Sequence, residues 1–166
     1  CTEMFSGCTN LSLGTEQVYA VSYTSLFARA SAPGVAKVNM DRMFYNCSKL
    51  REIKSIDTTN GYDLNNMFYG CSSLIDMPLL NTNNNSSFHY MFHGCSSLQK
   101  ALITGTPTGY TFSYMFNGCS SLLDVPFLDT SRCINFSYMF NACSSLKTIP
   151  LIDTSNGTNF IRMFTS

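Results

Sequence analysis

A Met-Phe pair returns every 24 residues along most of this chain, and nothing else in the sequence limits the possible folds as strongly. The methionines of these pairs are Met43, Met67, Met91, Met115, Met139 and Met163. Residues 67–82 give the repeated pattern, Met-Phe-x-Gly-Cys-Ser-Ser-Leu-x-x-Met-Pro-Leu-Leu-x-Thr. A fixed period of roughly 20 to 50 residues is typical of a solenoid, whose units are stable only when stacked. The sequence therefore predicts a stack of coils.

The first half of each coil has the pattern of a short helix. Positions are numbered from the methionine of each coil, which is position 0. Position −4 holds a helix N-cap residue type in every coil, and position +3 is usually Gly or Asn, which favour a left-handed helix exit. Apolar residues at −3, 0, +1 and +4, such as Phe112, Met115, Phe116 and Cys119, form the stripe of an amphipathic helix. We expect a two-turn helix with one buried face.

The second half of each coil has the pattern of a strand and a turn. An extended stretch such as residues 122–125 precedes a proline at +11, where the missing N–H is expected to end a strand. Asp-Thr or a variant follows and predicts a turn. The predicted fold is an α/β solenoid, a leucine-rich-repeat-like right-handed stack of 24-residue strand-turn-helix coils with a short parallel sheet.

The repeat also predicts the domain organisation, which is a single solenoid fragment over residues 1–166. Residues 1–16 are interpreted as a clipped repeat and residues 40–166 as regular repeats. The interval from Met4 to Met43 is 39 residues, so residues 17–39 are either an insertion or a degenerate coil. Both ends cut through a repeat, and we expect the sequence to be part of a longer chain.

Composition argues against several functional classes. Only 12% of the residues are charged and the net charge is zero, so no basic footprint for nucleic acid or anionic lipid is present. A hydrophobic content of 45% excludes a disordered chain. No apolar run reaches the length of about 18 residues expected of a membrane span.

The cysteines are predicted to be core residues. Six of the eight share position +4, which places them in one inward column. Stacked strands lie about 4.8 Å apart, whereas disulfide Cβ atoms lie about 3.8 Å apart, so free buried thiols are favoured over disulfides. Cys1 occupies a slot filled elsewhere by Phe or Leu, which favours packing over lipidation, and Cys133 is expected to be the accessible thiol.

Candidate metal and catalytic residues have simpler explanations. His89 and His93 have the i, i+4 spacing of a zinc site, but neighbouring coils offer no further ligands, so surface histidines are the preferred interpretation. Asp57, Asp129 and Asp153 recur between coils without the loop of calcium solenoids, which favours turn formation. No nucleophile-base grouping is apparent, so we expect no enzyme activity, no metal and no cofactor.

The outward tyrosines are the candidate partner-binding residues. Tyr90, Tyr114 and Tyr138 share position −1, and Tyr45 and Tyr69 share position +2. Stacked coils place such residues side by side, and tyrosine is enriched at protein contacts. Packing between adjacent coils explains the same pattern, and the sequence leaves both interpretations open.

Residues 135–146, Asn-Phe-Ser-Tyr-Met-Phe-Asn-Ala-Cys-Ser-Ser-Leu, followed by Ile-Pro-Leu-Ile-Asp-Thr-Ser, resemble the BspA-like leucine-rich repeat surface proteins, and more closely their bacterial lipoprotein-repeat branch. The resemblance implies an extracellular or cell-surface location and no catalytic residues, and some members of this family adhere to host or matrix proteins. We expect a non-enzymatic, surface-displayed scaffold that binds another protein or surface macromolecule, without nucleic acid or membrane insertion. The alternative is a purely structural spacer or a phage-type attachment component.

Overall fold

Short parallel strands stack from one coil to the next. The structure, a computed structural model, describes residues 6–7, 37–54, 56–85, 87–105 and 109–165. Its strands there are β1 (Val38–Asn39), β2 (Gly61–Asp63), β3 (Leu80–Asn81) and β4 (Ile103–Thr104). β1 pairs with β2 and β3 with β4, both in parallel. The predicted repeat solenoid with a short parallel sheet is therefore confirmed.

Position −4 continues the parallel pairing through the later coils. Single-residue bridges join Ser87 to Thr111, Thr111 to Asn135, and Asn135 to Asn159. Each bridge joins residues 24 positions apart, which is the repeat length of the sequence. The register of the stack is thus the register that the Met-Phe pairs predict.

Pairing in the second half of the coil occurs on both sides of the proline position. Glu52 pairs with Asp76, and Lys100 with Asp124, before position +11, as the sequence predicts. β3 and β4 lie beyond it and were not predicted. Proline has no N–H to donate, so the ladder is interrupted at that residue and resumes after it. Leu80 pairs with Ile103, which is 23 residues later, one fewer than the repeat length. As a result, Leu102 is structurally equivalent to Leu79 of the preceding coil.

The predicted two-turn helix does not form in the described coils, where positions −3 to +7 are successive β-turns. In the first regular coil, the N–H groups of Met43, Tyr45 and Cys47 each bond a carbonyl three residues earlier. The intervening N–H groups point along the stack instead. Phe44 N donates to Met67 O at 2.9 Å and Asn46 N to Tyr69 O at 2.6 Å, and the later coils repeat both bonds.

Backbone dihedral angles explain why these turns cannot merge into a helix. Residues at +3 have φ between 57° and 76°, as the glycines there predict, but residues at −1 have positive φ as well. The residues at −1 are Arg42, Asn66, Tyr90, Tyr114, Tyr138 and Arg162, with φ from 48° to 58°. A right-handed helix requires negative φ at each residue and satisfies its amides internally. Here alternate amides bond the next coil, which stabilises the stack directly.

The residues predicted to be helix N-caps accept a backbone N–H with their side-chain oxygen, as an N-cap does, but here they begin a turn. Asp41 N donates to Asn39 Oδ1 at 2.8 Å, Asn65 N to Asp63 Oδ1 at 3.0 Å, and Ser137 N to Asn135 Oδ1 at 3.0 Å. Such a side-chain bond to the amide two residues on defines an Asx-turn. Asx-turns and N-caps share this bond, so the sequence signal does not distinguish them.

The core is built from the predicted columns of identical side chains. The methionines at position 0 from Met43 to Met139 are fully buried, and the phenylalanines at +1 from Phe44 to Phe140 are at most 3% exposed. Neighbouring rings in the phenylalanine column are nearly parallel, with centroids 5.4 Å apart for Phe44 and Phe68 and 5.6 Å for Phe92 and Phe116. Each coil therefore buries its apolar face mainly against the same face of its neighbours.

The cysteines at position +4 from Cys47 to Cys143 are buried, as predicted, and form no disulfide among the described residues. Those from Cys71 onward also donate hydrogen bonds to backbone carbonyls. Cys71 Sγ lies 3.0 Å from Phe44 O, and Cys95 Sγ lies 3.1 Å from Phe68 O. Burial raises the pKa of both thiols. The prediction that Cys133 is accessible is wrong: its side chain is fully buried, and burial raises its pKa to about 11. Cys1 and Cys8 lie outside the described residues.

The proposed boundaries at residues 1–16 and 17–39 lie mostly outside the described residues. Gly7 is described, and its N–H donates to Tyr45 O at 2.7 Å. Gly70 N donates to His93 O at the same repeat positions, also at 2.7 Å. Among the described residues, no helix is long and apolar enough to cross a membrane.

Candidate functional site

The tyrosines at position −1 form a ladder on the surface of the stack. The ring centroids of Tyr90 and Tyr114 lie 4.5 Å apart with planes 22° from parallel. Tyr114 and Tyr138 are also 4.5 Å apart, and their planes differ by 8°. All three side chains are half-buried, and each ring stacks on the ring of its neighbour. The predicted side-by-side arrangement of these residues is present.

A second ladder occupies position +2 in the earlier coils. The rings of Tyr45 and Tyr69 are 4.7 Å apart and nearly parallel, and the His93 ring stacks on Tyr69 at 4.5 Å. The next two coils have Asn117 and Asn141 at this position, and Asn141 Nδ2 donates to Asn117 Oδ1 at 2.7 Å. The aromatic part of the ladder therefore ends at His93.

The two ladders meet and form one surface. Tyr90 lies 5.9 Å from Tyr69 and 5.3 Å from His93, measured between ring centroids. We name Tyr45, Tyr69, Tyr90, His93, Tyr114 and Tyr138 the aromatic strip. The sequence places its tyrosines in two separate columns. It does not show that the columns touch, because that depends on the distance between them in the folded stack.

An arginine covers each end of the aromatic strip. Arg42 Cζ lies 5.8 Å from the Tyr45 ring centroid, and Arg162 Cζ lies 5.8 Å from that of Tyr138. Both arginines occupy position −1. The face of an aromatic ring is electron-rich, so a cation at this distance is attracted to it. The strip is thus an aromatic surface with a guanidinium group against the ring at either end.

The two histidines belong to the strip and its border. His89 Nδ1 is 2.5 Å from Ser113 Oγ, and the His89 ring meets Tyr90 edge to face at 4.2 Å. Burial lowers the pKa of His89 and of His93, so both rings are neutral at pH 7. The described residues contain no group of three His, Cys, Asp or Glu side chains that could hold a metal ion. The structure thus gives His89 a hydrogen bond and a ring contact, and it stacks His93 on Tyr69.

The recurring aspartates bond to their own turns. Asp57 Oδ1 accepts from Thr59 N at 2.9 Å, and Asp153 Oδ1 accepts from Ser155 N at 2.9 Å. Ser131 donates both its hydroxyl and its N–H to Asp129 Oδ1, and these bonds lower the pKa of Asp129. These contacts are the turn contacts that the Asp-Thr pattern predicts.

An exposed apolar column was missed in the sequence. Leu79, Leu102, Phe127 and Leu151 follow one another in consecutive coils, and Phe127 and Leu151 are 71% and 90% exposed. The sequence gave a signal, since apolar pairs follow the proline position. Residue types alone do not show that only the second member of each pair, such as Leu80 or Leu128, is buried.

Residues 19–147 match the family described as "BspA type Leucine rich repeat region" in six copies. No curated protein and no solved structure matches the chain. The family match covers well over half of the sequence and includes all of the aromatic strip. Its repeats agree with the parallel stacked coils of the structure. The chain belongs to the BspA-type leucine-rich repeat family.

Proposed function

We propose that this chain is a non-enzymatic, surface-displayed repeat scaffold that binds a protein partner through the aromatic strip, in an adhesive role outside the cell. The observation that carries the proposal is the backbone conformation of Tyr90, Tyr114 and Tyr138, with φ of 56° to 58°. A bulky residue in this region costs about 1 to 3 kcal/mol, and such strain is concentrated at functional sites.

The backbone at position −1 does not require tyrosine. Asn66 occupies the same position with φ of 55°, and asparagine tolerates this conformation better than most residues. Three consecutive coils nevertheless have tyrosine. The side chain rather than the backbone therefore accounts for the choice. Tyrosine offers a large, rigid contact surface with a polar edge, and it is enriched among the residues that dominate binding energy.

A structural spacer is the second candidate function. The stacking of the rings favours it, because each inner ring already contacts two neighbours, as Tyr114 contacts Tyr90 and Tyr138. Stacked aromatic pairs contribute about 0.5 to 1.5 kcal/mol each, which is enough to offset much of the backbone strain without a partner. The two candidate functions differ in whether the exposed part of the tyrosine rings contacts a partner protein.

The deciding experiment replaces the tyrosines at −1 with the residue that another coil has there. The triple variant Tyr90→Asn, Tyr114→Asn, Tyr138→Asn is compared with the wild-type chain for binding to a panel of immobilised extracellular-matrix proteins. The control variant Tyr62→Asn, Tyr110→Asn removes two exposed tyrosines that lie outside the strip. Loss of one dominant tyrosine costs about 2 kcal/mol, or roughly 30-fold in affinity.

We expect the triple variant to lose at least about 30-fold in affinity and the control to stay within about twofold. The single variant Tyr114→Asn, with its fold checked by circular dichroism, separates loss of contact from loss of structure. Wild-type chain that binds no matrix protein, or a triple variant that binds as tightly as the control, would refute the proposed adhesive role and leave the spacer.

A further inference from the structure

A groove lies between the last two coils that are described in full, away from the repeat positions of the aromatic strip. Residues 127–131 and residues 151–155 line it, and its volume is about 630 Å³. Both walls are the same part of the repeat, positions +12 to +16. Ligand pockets in proteins commonly have volumes of about 300 to 1,000 Å³. The groove is therefore large enough for a short peptide segment.

One residue that lines the groove, Thr130, has a buried hydroxyl without a hydrogen-bond partner in the described part of the chain. Thr130 is 2% exposed, and its Oγ1 has no hydrogen-bond partner among the described residues. Buried polar groups are nearly always hydrogen-bonded. A buried group without a partner destabilises the fold, because it has lost its hydrogen bonds to water and gained none in return. Within the described chain, the Thr130 hydroxyl thus lacks the hydrogen-bond partner that a buried hydroxyl normally has.

Other coils indicate what this hydroxyl bonds. Thr58, at the same repeat position, donates to Asn81 O at 2.8 Å, and Thr82 donates to Thr104 O at 3.1 Å. In both cases the acceptor is a backbone carbonyl of an extended segment that lies alongside. The equivalent acceptor for Thr130 is the backbone carbonyl of an extended chain.

The backbone of residues 127–131, the groove wall that contains Thr130, also lacks parallel-ladder hydrogen bonds to the next coil. Between the coils of Met67 and Met91, Leu80 N donates to Leu102 O and Thr82 N to Thr104 O, both at 2.9 Å. No such bond joins Leu128 or Thr130 to the next coil within residues 109–165. An extended segment that adds to a sheet supplies such backbone bonds.

The exposed residues that line the groove indicate which side chains a ligand should have. Phe127 and Leu151 are strongly exposed, and each is followed two residues later by an aspartate, Asp129 or Asp153. Hydrogen bonds from Ser131 and Ser155 lower the pKa of these carboxyl groups, so both are ionised at neutral pH. Residues two apart on an extended chain face the same side. An apolar residue followed two positions later by lysine or arginine complements this rim.

We propose that the groove binds an extended peptide segment of a partner protein with an apolar-x-basic pattern. A backbone carbonyl of the segment accepts from Thr130 Oγ1. Its apolar side chain packs against Phe127 and Leu151, and its basic side chain lies near Asp129 and Asp153. This interaction is separate from any contact at the aromatic strip, and either is able to occur without the other.

The probe is a fluorescein-labelled peptide, Thr-Val-Thr-Lys-Thr-Val-Thr, titrated in fluorescence anisotropy against the whole chain. The control peptide has Glu in place of Lys. Thr130→Val keeps the shape of the side chain and removes the hydroxyl, and it is expected to lower affinity about 2- to 10-fold. The double variant Asp129→Asn, Asp153→Asn is expected to weaken binding of the lysine peptide and to remove its salt dependence.

Stability provides a readout that does not depend on the probe. Thr82→Val removes a hydroxyl with a partner and should lower the urea midpoint, whereas Thr130→Val should leave the midpoint unchanged or raise it. An equal loss of stability in both variants would show that the Thr130 hydroxyl is bonded within the folded chain, and the proposal would fail.

Four further results would overturn the proposal. The first is an absence of saturable binding up to millimolar peptide. The second is equal affinity for the lysine and glutamate peptides. The third is a set of peptide-induced NMR shifts centred on Tyr114 instead of Leu128 and Thr130. Concentration-dependent dimerisation that Leu151→Asn abolishes would assign the groove to a second copy of the chain and would also contradict it.

Discussion

Replacement of Asn66 by glycine and by alanine tests the turn structure of the coils directly. Asn66 occupies position −1 with φ of 55°, and its Nδ2 donates to Asp41 Oδ1 at 3.2 Å. Both variants lose that amide contact equally. The difference in stability between them therefore reports only on how the backbone at this position accepts each residue.

The turn and the helix predict opposite signs for this difference. In the observed left-handed conformation, alanine costs about 1 to 2 kcal/mol, whereas glycine costs about 0.5 to 1 kcal/mol in extra chain entropy. Asn66→Gly should then be more stable than Asn66→Ala by about 0.5 to 1 kcal/mol. In a helix interior, alanine would be the more stable by about 0.8 to 1 kcal/mol.

Urea denaturation, followed by circular dichroism, measures the difference through the midpoints at constant slope. Ala142 offers a second site with φ of 57°, where Ala142→Gly should raise the midpoint. Ala101 is buried and has no positive φ, so Ala101→Gly should lower the midpoint and serves as the control. The argument is refuted if Asn66→Ala proves more stable than Asn66→Gly, since position −1 would then be helical.

Other consequences of the stack are open to measurement. Phe92→Ala removes a fully buried ring that stacks on both Phe68 and Phe116, so the free energy of unfolding should fall by about 3 to 5 kcal/mol in urea denaturation. The pKa of His93 is lowered from 6.5 by burial, and the unfolded chain therefore binds more protons below that pH. Melting temperature should fall as the pH drops from about 7.5 to 5, and His93→Asn should reduce this fall. Burial raises the pKa of the Cys95 and Cys119 thiols, so iodoacetamide should label them in urea but not in the native chain, as peptide mass spectrometry would show.

The core could be predicted from the sequence because of its period. A repeat of fixed length that stacks in register places Met67 over Met43 and Phe68 over Phe44, whatever the path of the chain between them. The buried cysteines follow from the same argument. The free thiols were predicted because stacked positions lie farther apart than disulfide geometry allows.

The helix could not be distinguished from a chain of turns at the level of residue types. Apolar residues at −3, 0, +1 and +4 satisfy a helix, but they also face inward from successive β-turns. Position −1 gave no warning, because Tyr114 and Arg42 are not residues that usually adopt positive φ. The bonds that Phe44 N and Asn46 N make to the next coil decide the conformation, and they exist only in the stack.

The candidate sites could also be predicted only in part from the sequence. The sequence predicts the tyrosine columns, but the contact of Tyr90 with Tyr69 of the preceding coil and with His93 of its own coil depends on the lateral distance between positions −1 and +2. Thr130 has the same residue type as Thr58 and Thr82, and only its surroundings show that its hydroxyl lacks an acceptor.

The sequence alone determined the period, the register and the identity of the buried columns, because identical residues at a fixed spacing pack against their own copies. The tertiary structure decided the local conformation, the continuity of the aromatic strip and the groove at Thr130. Each of these depends on which backbone and side-chain groups of one coil meet those of the next. Contacts between coils, which stabilise units that cannot fold alone, therefore also set the conformation within each unit.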